Sequence, residues 1–194
     1  MRITFVVLLF VSSLHAQVVN PTISRQQGDL FAKKVDVIAA HDKAKGTRRT
    51  PVTETEMNSW FAYQAAPLLP PGVTDPSVAI VGQGKVSGRA MVDLDAVAKK
   101  RGTGRTLDPW SLIGGKVPVT VTGTLHTRDG VGRFEMESAY VSSVPVPKLL
   151  LQELVSHYSR TPNHPDGLSL DAPFQLPVNI RQIEVGQGQA TVVQ

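Results

Sequence analysis

A chain of 194 residues fits within a single domain, since one hydrophobic core stops growing only at roughly 250–300 residues. Hydrophobic residues make up 41% of the chain and the formal net charge is only +4, which excludes a wholly disordered protein. The sequence contains no cysteine, so disulfide scaffolds, cysteine-ligated metals, cysteine nucleophiles and a cysteine-linked lipoprotein anchor are excluded as well.

The first predicted element, residues 1–16, is a secretory signal peptide. Arg2 precedes an apolar run at 3–11, and Ala16 is a small residue suited to cleavage. Spanning a bilayer takes roughly 20 apolar residues, so this run is too short for a membrane anchor. We therefore expect an exported protein, periplasmic or extracellular, whose mature part at 17–194 forms a single domain.

Two helices are predicted at the start of the mature chain. The N-terminal helix, within residues 24–45, carries an apolar stripe, and a basic linker at 43–51 separates it from the core at 52–194. Thr53, followed three residues later by Glu56, forms a capping box. The second helix is therefore expected to begin at this pair.

Alternation of apolar and polar residues predicts antiparallel strands through most of the remaining chain. The clearest strand begins at Val117 and turns at 128–130 into another strand. In the latter, Phe134, Met136 and Tyr140 are expected to share the buried face. With a third helix after these strands, the sequence predicts an α+β fold: a curved antiparallel sheet of about five to seven strands against two or three helices.

Catalytic and metal-binding motifs are missing from the sequence. The histidines lack the spacing of metal ligands, and no glycine-rich string matches a phosphate-binding loop or a nucleophile elbow. Glu135 and Glu137 are expected about 7 Å apart on one strand face, as in sugar hydrolases, but charge balance by Arg128 and Arg133 favours a solvated surface. We therefore expect a protein that is not an enzyme and needs no cofactor.

One alternative keeps a catalytic role open. His164 and Asp166 lie two residues apart in a proline-containing segment, where they can shape a turn or hold a proton. A hydrolase that uses this pair would need a nucleophile that the sequence does not identify.

Two basic clusters lie beside apolar segments. Either they are solvated loops, or they attract an anionic surface such as a membrane, to which each cation contributes about 1 kcal/mol. Nucleic acid is not an expected partner, because the export signal argues against it. Residues assigned to an anionic headgroup are Arg48, Arg49, Lys99, Lys100, Arg101 and Arg105.

The segment 52–61, with the sequence VTETEMNSWF, resembles the helix that opens certain bacterial envelope domains of the tubular lipid-binding (TULIP or SMP-like) superfamily. The resemblance covers residues 50–194. Similar strings follow in the same order at 86–90, 117–141, 144–150 and 174–177. In that superfamily a long helix lies across a strongly curved sheet and acyl chains fill the space between them, so the resemblance implies lipid binding without catalysis.

We therefore expect an apolar groove for a lipid or another hydrophobic ligand, rimmed by basic loops. Large apolar side chains would line the groove, since each buried CH₂ of an acyl chain contributes about 0.8 kcal/mol. Those residues are Trp60, Phe61, Trp110, Phe134, Met136, Tyr140, Leu150 and Leu154. The alternative is an envelope scaffold or assembly protein with a filled core, acting through protein–protein contacts.

Overall fold

The structure, a computed structural model, describes residues 22–40, 46–93, 115–159, 165–167, 169–177 and 179–194. Its helices are α1 (Arg25–Ala39), α2 (Glu54–Tyr63) and α3 (Lys148–Ser159). Its strands are β1 (Arg49–Thr53), β2 (Val73–Gly82), β3 (Lys85–Asp93), β4 (Lys116–Arg128), β5 (Val131–Val141), β6 (Val144–Pro145), β7 (Phe174–Gln175), β8 (Gln182–Val185) and β9 (Gln189–Val193). The predicted α+β class and the sheet of five to seven strands are confirmed.

The strands form two antiparallel sheets. The larger has six strands in the order β2-β3-β4-β5-β6, with β7 also paired to β5, and the smaller has the order β1-β9-β8. Thr127 joins the two sheets, because its Oγ1 donates to the Ile183 carbonyl at 2.9 Å and accepts the Ile183 N–H at 2.8 Å. The described parts of both sheets are thus directly hydrogen-bonded to each other.

The smaller sheet corrects one boundary in the predicted domain organisation. The predicted basic linker at 43–51 ends in strand β1, where Arg49 pairs with Val193 and Thr53 with Gln189. This pairing joins segments more than 130 residues apart, so no local pattern reveals it. Residues 43–45 lie outside the described residues.

Helix α1 begins at an N-cap serine and crosses α2 at very short range. Ser24 accepts the Gln27 N–H at 3.3 Å, and its own N–H donates to the Ser59 hydroxyl at 3.2 Å. Ser59 is completely buried. A Cβ added to Gly28 would lie 3.2 Å from the Ser59 carbonyl and from the Trp60 nitrogen. Only a residue without a side chain therefore allows this crossing without a shift of the helices.

The predicted capping box at the start of α2 is confirmed. The Thr53 hydroxyl accepts the Glu56 N–H at 3.2 Å, and the Glu56 carboxylate accepts the Thr53 N–H at 2.9 Å. Glu56 is buried and also accepts two hydrogen bonds from the Lys34 ammonium group, at 2.7 and 2.8 Å. One carboxylate therefore both caps α2 and binds it to α1.

Helix α2 protects the outer edge of β2, the first strand of the larger sheet. The Asn58 amide accepts the Val78 N–H at 2.7 Å and donates to the Val78 carbonyl at 2.8 Å, as a neighbouring strand would. The Glu54 carboxylate accepts the Ile80 N–H at 2.7 Å. Unpaired edge strands invite association with other chains, and these two side chains block such pairing at the middle of β2.

A cluster of buried apolar residues on the larger sheet lies where β4 and β5 meet α3. Partly buried apolar residues from α3 and the neighbouring strands, including Phe134, Leu150 and Leu151, pack against it. The buried residues of this cluster are Val117, Met136, Ala139, Val141 and Val146.

Candidate functional site

The inward face of the larger sheet is apolar because β3 and β4 alternate in register. Gly88 pairs with Val121, and Ala90 pairs with Val119. Val119 and Val121 pack against the buried cluster under α3, so side chains in register with them project to the same side. The strip formed on β3 and β4 consists of Val86, Gly88, Ala90, Val92, Val117, Val119 and Val121.

This apolar strip is only partly covered. Val117 is buried, whereas Val119 and Val121 remain partly exposed. Gly88 is exposed, and a Cβ added there meets no atom of the described residues within 4 Å. The largest completely buried side chain in the described residues is that of Ser59. Between α2 and α3 the central strands therefore present apolar surface that these residues do not close.

A β-bulge in β5 corrects the predicted placement of Tyr140. Thr122 pairs with Ser138 and Gly123 with Met136, which leaves Glu137 without a partner in register. The extra residue shifts the alternation by one position, so the buried residues are Met136 on one side of the bulge and Ala139 on the other. Tyr140 consequently lies on the outer face and is 41% exposed.

The predicted groove residues fall into separate regions. Phe134, Met136 and Leu150 belong to the cluster between the sheet and α3. Trp60 instead contacts Phe31 of α1 and Phe61, with ring centroids 5.5 and 5.7 Å apart. The structure thus brings together three of the predicted residues and places two others in the helix pair.

Several predicted site residues cannot be placed from the structure. Trp110 and the basic residues Lys99, Lys100, Arg101 and Arg105 lie outside the described residues, as does the side chain of Leu154. His164, from the alternative hydrolase pair, also lies outside them.

The two predicted headgroup arginines that are described lie at the smaller sheet. Arg48 is exposed and its backbone pairs with that of Gln194. Arg49 makes a two-pronged ion pair with Glu184, in which one nitrogen–oxygen distance is 3.0 Å. The hydrogen bond and charge of Glu184 raise the pKa of Arg49, and those of Arg49 lower the pKa of Glu184. The charge of Arg49 is therefore already balanced within the protein.

The ion-pair partners of the two β5 carboxylates differ from those predicted from the sequence. Lys85 lies 2.7 Å from Glu137, and Thr124 donates to Glu137 at 2.8 Å. The hydrogen bond from Lys85, aided by that from Thr124, lowers the pKa of Glu137, which disfavours a general-acid role at neutral pH. Glu135 lies 3.5 Å from His126. The expected balance by Arg128 and Arg133 is therefore wrong for the described contacts.

An open groove lies beside the far end of the β4–β5 hairpin. It encloses about 520 Å³, within the range of small-molecule sites, and strand β8 forms its other wall. Its apolar lining includes Leu125, Val131 and Ile183, and its charged lining includes Arg128, Arg133 and Glu184. The sequence suggested a cavity between helices and sheet, whereas this groove lies between a hairpin and the smaller sheet.

Two features of these sites were missed by the sequence analysis. Gly88 is the first: an isolated glycine inside an alternating strand signals an unfilled position on that face. The arginines at the hairpin end are the second. The sequence predicted that Arg128 and Arg133 lie on two paired strands and balance the nearby carboxylates. In the structure these carboxylates have other partners.

Within the described ranges, no helix is long and apolar enough to cross a membrane. The same residues contain no group of three or more histidine, aspartate or glutamate side chains arranged to hold a metal ion. Comparison with protein-family models, curated proteins and solved structures finds no match to this chain. The functional conclusion therefore depends on the geometry of the chain itself.

Proposed function

We propose that this protein binds a lipid or another hydrophobic molecule along the inward face of its larger sheet, without transforming it chemically. The supporting observation is the incompletely covered apolar strip on β3 and β4, with exposed Gly88 at its centre. Three strand spacings separate β2 from β5, about 14 Å, so an acyl chain lying across these strands gains apolar contact over that distance.

The energetic argument favours an acyl chain over a polar ligand. The strip offers methyl groups of valine and alanine, and burial of a CH₂ group against them contributes about 0.8 kcal/mol. The polar residues of the 52–61 segment are used differently: Thr53, Glu54, Glu56 and Asn58 all bond to backbone or to α1. This segment therefore supports the site by fixing α2 at the sheet edge.

A variant that fills the strip tests the proposal directly. Gly88→Phe places a ring where no described atom lies within 4 Å of the added Cβ. Ala79→Phe is the matched control, because Ala79 is exposed and pairs with Ser87 on the opposite face. Binding of 1-hexadecanol, measured by native mass spectrometry and by displacement of a fluorescent fatty alcohol, is expected to weaken about tenfold in Gly88→Phe only.

Two results would overturn the site. The first is absence of hexadecanol binding by the unmodified protein. The second is equal binding by Gly88→Phe and the unmodified protein, with circular dichroism showing that both are folded. Equal weakening in both phenylalanine variants would also count against it, since a change on the outer face has no contact with the strip.

Export belongs to the same proposal. The apolar run after Arg2 supports a signal peptide at 1–16, which lies outside the described residues. A protein recovered from the cell envelope should then begin at Gln17. An intact N-terminus at Met1 in that fraction would contradict cleavage.

An envelope scaffold is the second candidate, and the surface of α1 favours it. Leu30 and Val37 are seven residues apart, so they lie on one side of the helix, and both are exposed. Ile23, just before the N-cap serine, is exposed as well. A scaffold that uses this stripe should associate with a protein partner through it. Sedimentation over a range of concentrations tests self-association, which Leu30→Glu with Val37→Glu should abolish without changing hexadecanol binding.

A further inference from the structure

Two glycines on the inward face of the larger sheet have opposite surroundings. Gly88 lies on β3, and a Cβ added there meets no atom of the described residues within 4 Å. Gly123 lies on β4 in register with Val86, and a Cβ added there would lie 2.6 Å from the Cζ atom of the Phe134 ring. The ring of Phe134 therefore occupies the space that a side chain on Gly123 would fill, and Gly123 is buried.

Phe134 reaches this position from the neighbouring strand. It pairs with Leu125 on β4, so Gly123 is its diagonal neighbour on the same face. Diagonal neighbours lie about 7–8 Å apart at the backbone, a distance that an aromatic side chain can span. Phe134 also packs against the buried cluster under α3 and remains partly exposed. The ring is thus supported by the cluster and keeps surface for contact with another molecule.

The ring marks one boundary of the apolar strip along the strands. On β4, Val119 and Val121 are partly exposed, whereas Val117 before them and Gly123 after them are buried. Successive positions on one face of a strand are about 7 Å apart, so the open stretch between these two buried positions is narrow. An alkyl chain that crosses the strands over Val119 and Val121 meets Phe134 on its hairpin side.

We propose that Phe134 is a specificity-determining residue, whose ring forms the hairpin-side wall of the apolar strip and restricts the site to a single unbranched alkyl chain. This inference rests on the proposed function and names the class of ligand, a straight-chain lipid as opposed to a branched one. Methyl branches widen an alkyl chain, so a wall beside the chain disfavours them. In apolar sites, a difference of one methylene group between two ligands changes their discrimination by about tenfold or more.

The test uses two alcohols with the same main chain: 1-hexadecanol, which is unbranched, and phytanol, which carries methyl branches. Displacement of a fluorescent fatty alcohol gives the affinity for each, and the ratio of the two affinities is the readout. The unmodified protein should bind hexadecanol about tenfold more tightly than phytanol. In Phe134→Ala the space over Gly123 is free, so this preference should disappear.

Phe174→Ala is the matched control, because it removes an equal ring from the same kind of arrangement. A Cβ added to Gly132 would lie 2.6 Å from two ring atoms of Phe174. Gly132 is four residues from Met136, the partner of Gly123, and thus about 14 Å farther towards the hairpin end. Phe174→Ala should therefore keep the preference for hexadecanol.

A second variant separates specificity from folding. Phe134→Leu keeps an apolar side chain beside the buried cluster but lacks the ring atom that lies over Gly123. It should reduce the preference for hexadecanol in the same direction as Phe134→Ala, and circular dichroism shows whether each variant is folded.

The outcomes separate this inference from the proposed function. An unchanged preference in the folded Phe134 variants, or equal binding of both alcohols by the unmodified protein, would overturn the wall and leave the apolar strip intact. An equal loss of preference in Phe174→Ala would overturn the specific role of Phe134. Absence of binding of either alcohol to the unmodified protein would overturn the proposed function, and the wall with it.

Discussion

The α1–α2 helix pair and the inward face of the larger sheet use small residues in opposite ways. In the helix pair, Gly28 and Ser59 bring two backbones into tight contact, and Ser59 is completely buried. On the sheet face, a Cβ added to Gly88 would meet no atom of the described residues within 4 Å. In the first region small residues allow close packing of two helices, whereas in the second the described residues leave the space beside a small residue unfilled.

The polar side chains of the helix pair form hydrogen bonds within the protein. The Glu56 carboxylate accepts hydrogen bonds from both Lys34 and the α2 N-terminus, and Asn58 uses both ends of its amide on β2. On the outer face of the larger sheet, by contrast, Arg128 and Arg133 have no ion-pair partner among the described residues. Satisfied polar groups stabilise a fold, while unpaired ones are available for a ligand. We infer that the hydrogen bonds which stabilise the fold are concentrated at the helix pair.

The largest expected effect comes from Glu56→Ala. The substitution removes the second half of the capping box and leaves the partly buried Lys34 ammonium group without its partner. We expect the free energy of unfolding to fall by about 3 kcal/mol, since hydrogen bonds to charged groups and buried ion pairs are the costly ones to break. Urea unfolding followed by circular dichroism measures the change. Glu153→Ala, at an exposed position of α3, is the control, and an equal loss in both variants would contradict the special role of Glu56.

Asn58→Ala should have the next largest effect. It breaks both hydrogen bonds to Val78 and exposes the edge of β2, at an expected cost of about 2 kcal/mol. Gln64→Ala breaks a single exposed hydrogen bond to Asp29 and should cost less than half as much. Loss of the edge protection should also promote aggregation, measurable by light scattering. Equal stability of the two variants would show that α2 does not protect this strand.

A pair of glycine-to-alanine changes compares the two regions most directly. Alanine usually stabilises a helix by about 1 kcal/mol relative to glycine. At Gly28, however, the new methyl group meets backbone at 3.2 Å, so we expect Gly28→Ala to destabilise the protein by about 1 kcal/mol. Gly88→Ala meets no described atom and should be neutral or stabilising by about 0.5 kcal/mol. Thermal unfolding measures the change in stability of each variant. A change in the same direction at both positions would contradict the difference between the two regions.

These comparisons also show which parts of the fold the sequence reveals. The capping box was predictable because Thr53 and Glu56 bond to each other over three residues, within one helical turn. The strand β1 was not, because its partner β9 lies at the other end of the chain. A local pattern identifies an element when the interactions that form it are themselves local.

The same reasoning explains the errors at the candidate site. The period-2 pattern predicted the faces of Phe134 and Met136 correctly, but the bulge at Glu137 moved Tyr140 to the other face. Nothing in the spacing of polar and apolar residues marks the bulge. The sequence also assigned Arg128 and Arg133 to the β5 carboxylates by proximity, whereas the register between β3 and β4 brings Lys85 to Glu137. Side-chain partners across a sheet require the register, which depends on the whole fold.

The smallest expected effect concerns acid stability and the outer charged pairs. Arg49 lowers the pKa of Glu184, and Lys85 lowers that of Glu137, from an ordinary value of 4.5. A carboxylate with a lowered folded-state pKa stabilises the protein above its unfolded-state pKa, and this contribution disappears as the pH falls through the folded value. Both pairs are exposed, so the contribution should be small and should decrease further with added salt.

Glu184→Gln with Glu137→Gln should therefore lower the urea midpoint slightly at about pH 7 and make stability less dependent on pH below about 4.5. The variant and the unmodified protein should converge in strong acid, where both carboxylates of the latter are protonated. Glu153→Gln, at an exposed site on α3, controls for the removal of a negative charge. Identical midpoints at neutral pH and low salt would show that these pairs contribute nothing measurable. The stability of the protein would then depend still more strongly on the helix pair, where Glu56 and Asn58 bond to buried or edge groups that water does not replace.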